Sequence, residues 1–339
     1  MKAHFLVQNG SPEKAFDIRE TEKPAINSNE VLIKVEGFGL NFADVLATMG
    51  LYPDCPPLPA ILGYDVVGFI EAVGSAVKDV LVGDRVTALT RFGGYAEYAV
   101  TKGNAVAKIP TTMDMGVALA LSTQYCTAYY CAEELLRLHE GDKVLVHAAA
   151  GGVGTALVQL AKWRGCVVYG TASSHKLDYL REQGVDYPID YRKEDFVEVI
   201  QRQNGDGGLD VIFDPIGGSY LKKGMKLLGA GGRLVTFGAS EFTNNQNIFK
   251  KMKLLWAFGV YHPLFFIKNS KSIIGVNMLR IGDDRPLVFQ RVLQEVVNLA
   301  SQNILRPVVG KVFAFDELVA AHQYLASRQS VGKIVVRVG

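Results

Sequence analysis

The chain has 339 residues, of which 49% are hydrophobic and 21% are charged, and its formal net charge is +2. This length is sufficient for two domains with sizeable cores, and the composition is that of an ordinary globular protein. A balanced charge without a sustained basic stripe argues against a nucleic-acid partner. Residues 1–5 lead into mixed polar sequence and lack the order of a signal peptide, so we expect a cytoplasmic protein.

The first third of the chain is predicted to form short strands separated by turns. Glycine, proline and polar turn residues recur every few positions up to about residue 109, and helical periodicity is nearly absent. This pattern favours an all-β module closed on itself. A helix is expected next, over residues 112–136 with an interruption at 122–124. The predicted strands are 31–35, 66–73, 85–89 and 95–100.

A glycine-rich turn follows the buried strand predicted at residues 143–149. The spacing of Ala149, Gly151 and Gly154 matches G-x-G-x-x-G with alanine in the first place, and helical spacing of apolar residues follows up to residue 164. Glycine lets the backbone approach a pyrophosphate, and the N–H groups at a helix start favour an anion. By itself the pattern also fits a tight turn without a ligand. The candidate phosphate-binding residues are Gly151, Gly152, Val153 and Gly154.

Strands and helices alternate through the middle of the chain. Strands separated by helices of about ten residues indicate a parallel, doubly wound sheet. The glycine turn follows the first of these strands, which is where such a sheet binds a nucleotide, so the context favours a ligand. The predicted strands are 143–149, 167–170, 185–190, 209–213 and 233–237, the last of which is expected to close the run.

The last part of the chain is predicted to return to the first domain. Helices are expected near residues 288–300 and 317–327, and the final strand, 332–338, is apolar enough to be central in a sheet. We therefore predict one domain formed by residues 1–125 and 281–339, and a dinucleotide-binding domain at 126–280.

The end of the second strand of the repeat indicates which dinucleotide binds. An NAD site in this fold has an acidic residue about 20 residues after the glycines, which binds the ribose 2′-hydroxyl. Here residues 170–176 read GTASSHK, and no carboxylate occurs before Asp178. Hydroxyl groups and a cation suit a 2′-phosphate instead. We therefore predict NADPH as the cofactor, with Lys176 as a phosphate contact.

An apolar run at residues 254–267 fits none of these patterns. Its 14 residues, LLWAFGVYHPLFFI, are flanked by lysines and contain Pro263. A membrane-spanning helix needs about 20 such residues, so no transmembrane span is predicted. Three interpretations stay open: a buried helical hairpin or pocket lid, a subunit contact, and a shallow peripheral membrane anchor.

Six blocks of sequence resemble the medium-chain dehydrogenase/reductase superfamily, and within it the zinc-independent quinone oxidoreductase branch that includes VAT-1-like members. The resemblance implies an α/β protein in which a Rossmann domain with a doubly wound parallel sheet is joined to a groES-like β-barrel domain. It also implies NADPH in the cleft between the domains, and a homodimer. The blocks are 39–44 (GLNFAD), 50–53 (GLYP), 82–86 (VGDRV), 148–154 (AAAGGVG), 214–218 (DPIGG) and 331–336 (VGKIVV).

The chain departs from the zinc alcohol dehydrogenases of this superfamily at the metal ligands. Asn41 stands in place of a cysteine ligand, Tyr64 and Asp65 stand in place of the His-Glu pair, and residues 87–108 contain no cysteine for a structural zinc. We therefore predict no metal. Alcohol oxidation is difficult without a Lewis acid, whereas hydride transfer to an electron-poor acceptor does not need one. Quinones and α,β-unsaturated carbonyls (enones) are small-molecule acceptors of that kind.

The resemblance also places candidate residues around the reacting atoms. Asn41 and Tyr52 match positions at the nicotinamide end of the cleft, and we expect Asn41 to orient the cofactor and Tyr52 to donate to the substrate oxygen. Simple packing of the Tyr52 ring stays an equal alternative. Asp44 is either a partner of Asn41 or a helix-start residue. Thr127 resembles the family threonine near the cofactor, and Ser173 and Tyr191 resemble its 2′-phosphate pocket. Gly238, at the end of the fifth predicted strand, and Lys333 are further candidates to line the cofactor.

Two functions follow from these features. The first is a zinc-independent reductase that transfers hydride from NADPH to a quinone or an enone. The second, indicated by the VAT-1-like resemblance and the lysine-flanked apolar run, is a lipid- or membrane-associated protein in which NADPH binding is structural or regulatory.

Overall fold

The computed structural model describes residues 1–205, 207–241 and 258–339. The chain divides into two compact units, the first formed by Met1–Thr127 and Met278–Gly339 and the second by Ala128–Asn277. The binding of a dinucleotide by the second of the two predicted domains stays a prediction.

The described residues form the following elements in chain order. The strands are β1 (Lys2–Leu6), β2 (Phe16–Glu20), β3 (Glu30–Leu40), β4 (Ala60–Ile61), β5 (Asp65–Val73), β6 (Arg85–Leu89), β7 (Tyr98–Lys102), β8 (Val106–Lys108), β9 (Lys143–Val146), β10 (Val167–Ala172), β11 (Tyr187–Asp190), β12 (Leu209–Asp214), β13 (Leu228–Thr236), β14 (Ser272–Gly275), β15 (Val309–Ala314) and β16 (Lys333–Arg337). The helices are α1 (Pro12–Ala15), α2 (Phe42–Thr48), α3 (Met115–Ala120), α4 (Cys126–Tyr129), α5 (Gly152–Trp163), α6 (Leu177–Glu182), α7 (Phe196–Asn204), α8 (Ser219–Leu227), α9 (Pro263–Asn269), α10 (Met278–Asp284), α11 (Pro286–Ser301) and α12 (Leu318–Ala326).

The first unit is built around β3. This long strand pairs in antiparallel fashion with β5, β7 and β16, within a seven-stranded sheet that also contains β6, β8 and β15. Val31, Ile33 and Val35 alternate along β3 and are buried in the core of the unit, as the period of a strand requires. A separate antiparallel sheet has the order β2-β1-β4. The prediction that the last strand returns to the first domain is confirmed, because β16 pairs with β3 and β15.

The second unit contains a parallel sheet in the order β11-β10-β9-β12-β13-β14. Val144, Leu145 and Val146 of β9 are fully shielded from solvent, as expected for a strand that is covered on both faces. The order reverses between β10 and β12, on either side of β9, and such a reversal is where doubly wound sheets bind nucleotides. The doubly wound parallel sheet predicted from the strand and helix repeat is confirmed.

Several predicted boundaries were wrong. The repeat does not end at residue 237, because β14 adds a sixth strand parallel to β13. This strand has only four residues, two of them isoleucine, and is too short for an alternating pattern to show in the sequence. Helix α2 lies in the part expected to be almost purely β. The expected interruption at 122–124 is a π-helical turn at Leu121–Tyr125, which lets the helix continue.

The apolar run at 254–267 is described in part. Residues 254–257 lie outside the described residues, and α9 begins at Pro263, where the missing N–H of proline is tolerated in a first helical turn. None of the described helices is long and apolar enough to cross a membrane.

Candidate functional site

The glycine turn lies between β9 and α5 in the second unit. A Cβ at Gly154 would lie 2.3 Å from the Ala148 carbonyl oxygen and 2.7 Å from Ala149 Cα, so glycine is needed for the helix to pack closely on the turn. At Gly151, the N-cap of α5, the nearest atom to such a Cβ would be the Ala148 carbonyl oxygen at 3.3 Å. Packing of the chain therefore accounts for Gly154. A Cβ at Gly151 would make one tight contact, with the Ala148 carbonyl oxygen, and would meet no other atom within 4 Å, which leaves one side open to a phosphate.

Three of the predicted cofactor residues lie together at the carboxyl ends of β10 and β11. Ser173 and Lys176 follow β10 and are only 3% and 8% exposed, and the backbone N–H of Tyr191 donates to the Ala172 carbonyl at 3.2 Å. Burial, and secondarily the nearby Arg192 guanidinium, lower the pKa of Lys176 to about 8. Cations that follow two adjacent strands, together with the buried Ser173 hydroxyl at the same edge of the sheet, suit a dianion such as a 2′-phosphate.

Arg192 is a candidate that the sequence analysis missed. Arg192 directly follows Tyr191, just after the end of β11. Neighbouring parallel strands end at the same edge of a sheet, so a prediction that β11 lies beside β10 would have indicated Arg192 as a cofactor contact. Asp190 lies at this edge too. Burial raises the pKa of Asp190, but hydrogen bonds from the Ser174 hydroxyl and the Arg192 backbone N–H outweigh burial and hold the pKa below its usual value. An open cavity of about 300 Å³ adjoins Tyr191 and Arg192.

His147, directly after β9, is a core histidine. Its Nδ1 lies 3.1 Å from Thr171 Oγ1, and its ring packs edge-on against Phe196 and Tyr220. Burial lowers the pKa of His147 to about 3, so the imidazole is neutral. This environment is that of a packed core residue.

The contacts of Gly238 and Thr127 within their own units explain both residue types. A Cβ at Gly238 would lie 2.6 Å from the Pro215 carbonyl oxygen, so glycine is required beside the turn that follows β12. Asp214 holds that turn by accepting from the Ile216 N–H at 2.7 Å. The Thr127 hydroxyl donates to the Thr123 carbonyl oxygen at 2.7 Å within its helix. Roles of Gly238 and Thr127 toward a cofactor stay predictions.

Asn41 lies in the first unit, between the end of β3 and the start of α2. Its backbone N–H donates to Asp44 Oδ2 at 2.7 Å, so Asp44 is both a helix-start residue and a partner of Asn41. The Asn41 side chain donates from Nδ2 to Asp65 and accepts at Oδ1 from Lys333 Nζ at 3.1 Å. Burial raises the pKa of Asp44 to about 7. Asn41 is thus part of a buried polar cluster and is itself 7% exposed.

Lys333, predicted to line the cofactor, is fully buried in the first unit. Its ammonium lies 2.7 Å from Asp65 Oδ2, in addition to its bond to Asn41. The charge of Lys333 is therefore directed at Asp65 and Asn41.

Tyr52 is half-buried beside Tyr64. The two rings meet edge to face with centroids 6.1 Å apart, and Tyr52 packs against the core of the first unit. Burial, assisted by the negative charge of Asp54, raises the pKa of Tyr52 to about 12. The phenol therefore keeps its proton at neutral pH and is available as a donor. Packing and donation are both compatible with this environment.

No group of three or more His, Cys, Asp or Glu residues that could hold a metal ion occurs among residues 1–205, 207–241 and 258–339.

Comparison with known proteins assigns the family. A model of the alcohol dehydrogenase GroES-like domain matches residues 27–111, and a model of the zinc-binding dehydrogenase family matches residues 183–336. The human synaptic vesicle membrane protein VAT-1 homolog is 33% identical over 94% of this chain and 81% of its own length. The chain belongs to the medium-chain dehydrogenase/reductase superfamily, in its VAT-1-like branch.

Solved structures of this superfamily share the architecture over the whole chain. Escherichia coli quinone oxidoreductase, solved in complex with NADPH, aligns with a TM-score of 0.87 and 25% identity over 100% of both chains. The CurK enoyl reductase aligns with a TM-score of 0.85 and 28% identity, covering 100% of this chain and 99% of its own. The predicted combination of a Rossmann sheet and a groES-like domain is therefore confirmed.

The chain spans only part of the length of its VAT-1-like relatives. The zebrafish VAT-1 homolog is 36% identical over 93% of this chain, but the chain spans only 65% of the length of that relative. The chain is therefore a member of an oxidoreductase superfamily. The identity of its cofactor and of its acceptor is a matter of proposal. The homodimer and the cytoplasmic location stay predictions.

Proposed function

We propose that this protein transfers hydride from NADPH to a quinone or an α,β-unsaturated carbonyl compound. The observation that carries the proposal is the pair of cations, Lys176 and Arg192, at the carboxyl ends of adjacent parallel strands beyond a glycine turn. The E. coli quinone oxidoreductase, whose structure contains NADPH, supports it by similarity of fold.

The residues present in the second unit fit NADPH. The space in front of Gly151 and the N–H groups at the start of α5 would receive the pyrophosphate. Ser173, Lys176 and Arg192 would bind the 2′-phosphate, and Tyr191 would flank it. When bound, NADPH supplies a hydride, which is the chemistry that the protein side chains do not have.

The acceptor is expected to be bound by donors on the first unit. As a quinone or enone is reduced, negative charge develops on its oxygen, and a fixed hydrogen-bond donor stabilises that charge. Tyr52 keeps its proton at neutral pH and is half-buried, so it meets this requirement. Asn41 would orient the reacting groups through the part of its amide that Asp65 and Lys333 do not engage.

The direct test is oxidation of NADPH, followed by its absorbance, with a panel of quinones and enals. The wild type should oxidise NADPH with at least one acceptor class and should prefer NADPH to NADH. Tyr52→Phe should lower kcat by about tenfold or more, because a donor to the developing charge is lost while the ring is kept.

Tyr324→Phe is the matched control, since Tyr324 packs partly buried on the core of the same unit. It should leave kcat unchanged. An unchanged kcat in Tyr52→Phe would make Tyr52 a packing residue, and no NADPH oxidation by the wild type with any acceptor would reject the reductase function.

A membrane-associated role is the second candidate, because α9 presents apolar side chains outward. Leu264 and Ile267 are 65% and 75% exposed, whereas Phe265 and Phe266 of the same helix pack against the core of the second unit. Lys268 adds a positive charge beside the exposed pair. Relatives of this branch carry the name synaptic vesicle membrane protein. In this role NADPH binding would be structural or regulatory.

Sedimentation with anionic liposomes distinguishes the two roles. If α9 contacts a membrane, the wild type should sediment with the vesicles, and Leu264→Ser combined with Ile267→Ser should release it because the inserted apolar area is lost. Leu81→Ser combined with Val82→Ser is the control, since these side chains are each 66% exposed on the other unit. Equal sedimentation of the α9 variant and the wild type would argue against the membrane role.

A further inference from the structure

A buried ion pair lies beside Asn41 in the first unit. Lys333 Nζ is 2.7 Å from Asp65 Oδ2, and both side chains are fully shielded from solvent. Lys333 Nζ also donates to Asn41 Oδ1 at 3.1 Å, and Asn41 Nδ2 donates to Asp65 Oδ1. The three side chains therefore form a closed ring of polar contacts.

Gly39 makes this ring possible. In β3, Gly39 pairs with Asp65 of β5, and β16, which begins at Lys333, pairs with the other edge of β3. A Cβ at Gly39 would lie 2.1 Å from Lys333 Cε and 2.1 Å from Asp65 Oδ2. The missing side chain is what allows the lysine to cross β3 and reach the carboxylate.

Stability alone does not account for this ion pair. Moving two charges out of water is costly, and apolar residues of similar volume in place of a buried pair often leave stability unchanged or raise it. An apolar pair could not bind the Asn41 amide, however. An ammonium only donates and a carboxylate only accepts, so Lys333 and Asp65 distinguish the amide oxygen from the amide nitrogen. The amide is held in one orientation, and its second N–H has a defined direction.

We propose that Lys333 and Asp65 are positioning residues that orient the Asn41 amide for hydride transfer. This inference rests on the proposed function, in which Asn41 orients the reacting groups. Because both charged side chains are fully buried, they act through Asn41 and do not touch the acceptor. A preoriented N–H needs no reorganisation when the reacting groups approach it.

The first test observes the amide directly, in the protein without cofactor. The side-chain NH₂ signals of Asn41 in a ¹⁵N–¹H correlation spectrum are assigned by their loss in Asn41→Ala. Asp65→Asn and Lys333→Met should each shift or broaden these signals strongly, because each variant removes one of the two partners. Glu36→Gln is the matched control, since it neutralises the carboxylate that binds Arg85 at 2.7 Å in the same sheet. Unchanged Asn41 signals in both test variants would overturn the proposal.

The second test measures kcat in a double-mutant cycle, at a temperature where every variant is folded. Asp65→Asn should lower kcat by about tenfold in the wild-type background and by less than about twofold when Asn41 is already alanine, with little change in KM for NADPH. A merely structural role would give equal losses in both backgrounds, and that result would also overturn the proposal. If the wild type reduces no acceptor, the reductase function fails, while the amide signals still decide the positioning role.

Discussion

Gly151→Ala should weaken NADPH binding by about tenfold or more while leaving the thermal stability of the protein nearly unchanged. The added Cβ would lie 3.3 Å from the Ala148 carbonyl oxygen, and Gly151 has φ −76° and ψ 170°, which alanine adopts readily. Replacing glycine by alanine at an N-cap lowers the free energy of unfolding by about 1 kcal/mol or less. The methyl group would instead occupy the space that a pyrophosphate needs. Titration of the intrinsic fluorescence with NADPH, together with a melting curve, measures both effects.

Gly154→Ala is the matched comparison, because the same methyl group would lie much closer to the backbone there. Its Cβ would lie 2.3 Å from the Ala148 carbonyl oxygen, which is backbone and cannot move aside easily. We expect this variant to lose both NADPH binding and thermal stability. Undiminished NADPH binding by Gly151→Ala would mean that the turn only packs the helix against the strand.

Lys176→Ala should weaken NADPH binding about tenfold or more and change NADH binding little, because a charge-assisted contact contributes about 1.5–3 kcal/mol. The two cofactors differ only in the 2′-phosphate that Lys176 is proposed to bind. Lys162→Ala is the control, because it removes the same charge from the same unit. Lys162 is paired with Asp186, at 2.8 Å. Equal losses for both cofactors on Lys176→Ala would reject the assignment of Lys176 to the 2′-phosphate.

The pH dependence of binding gives an independent measure of the same contact. The pKa of Lys176 is lowered to about 8, so its positive charge is present at pH 7 and is lost as the pH rises through 8. The affinity of the wild type for NADPH should therefore fall between about pH 7 and pH 9, more steeply than its affinity for NADH. In Lys176→Ala this difference between the cofactors should shrink, because the titrating group is gone.

The sequence by itself determined the features that depend on neighbouring residues. The strand, glycine turn and helix around Gly151 and Gly154 are local patterns of period and turn chemistry. The structure has them in the predicted order, although the strand ends three residues earlier than predicted and the helix already begins at Gly152. The alternation of strands and helices was sufficient to predict a doubly wound parallel sheet. The absence of an acid before Asp178 was equally visible along the chain.

Only the tertiary structure decided which distant residues meet. Lys333 is 292 positions from Asn41, and their contact exists because β16 returns to the edge of β3. The sequence shows a lysine in an apolar strand, but neither its partners nor the need for glycine at position 39 can be read from local spacing. Similarly, Arg192 and Lys176 lie at the same edge of the sheet because β11 pairs with β10, and β14 is a strand because it pairs with β13. Sheet pairing joins residues far apart in sequence, so its consequences for charge and orientation appear only once the chain is folded.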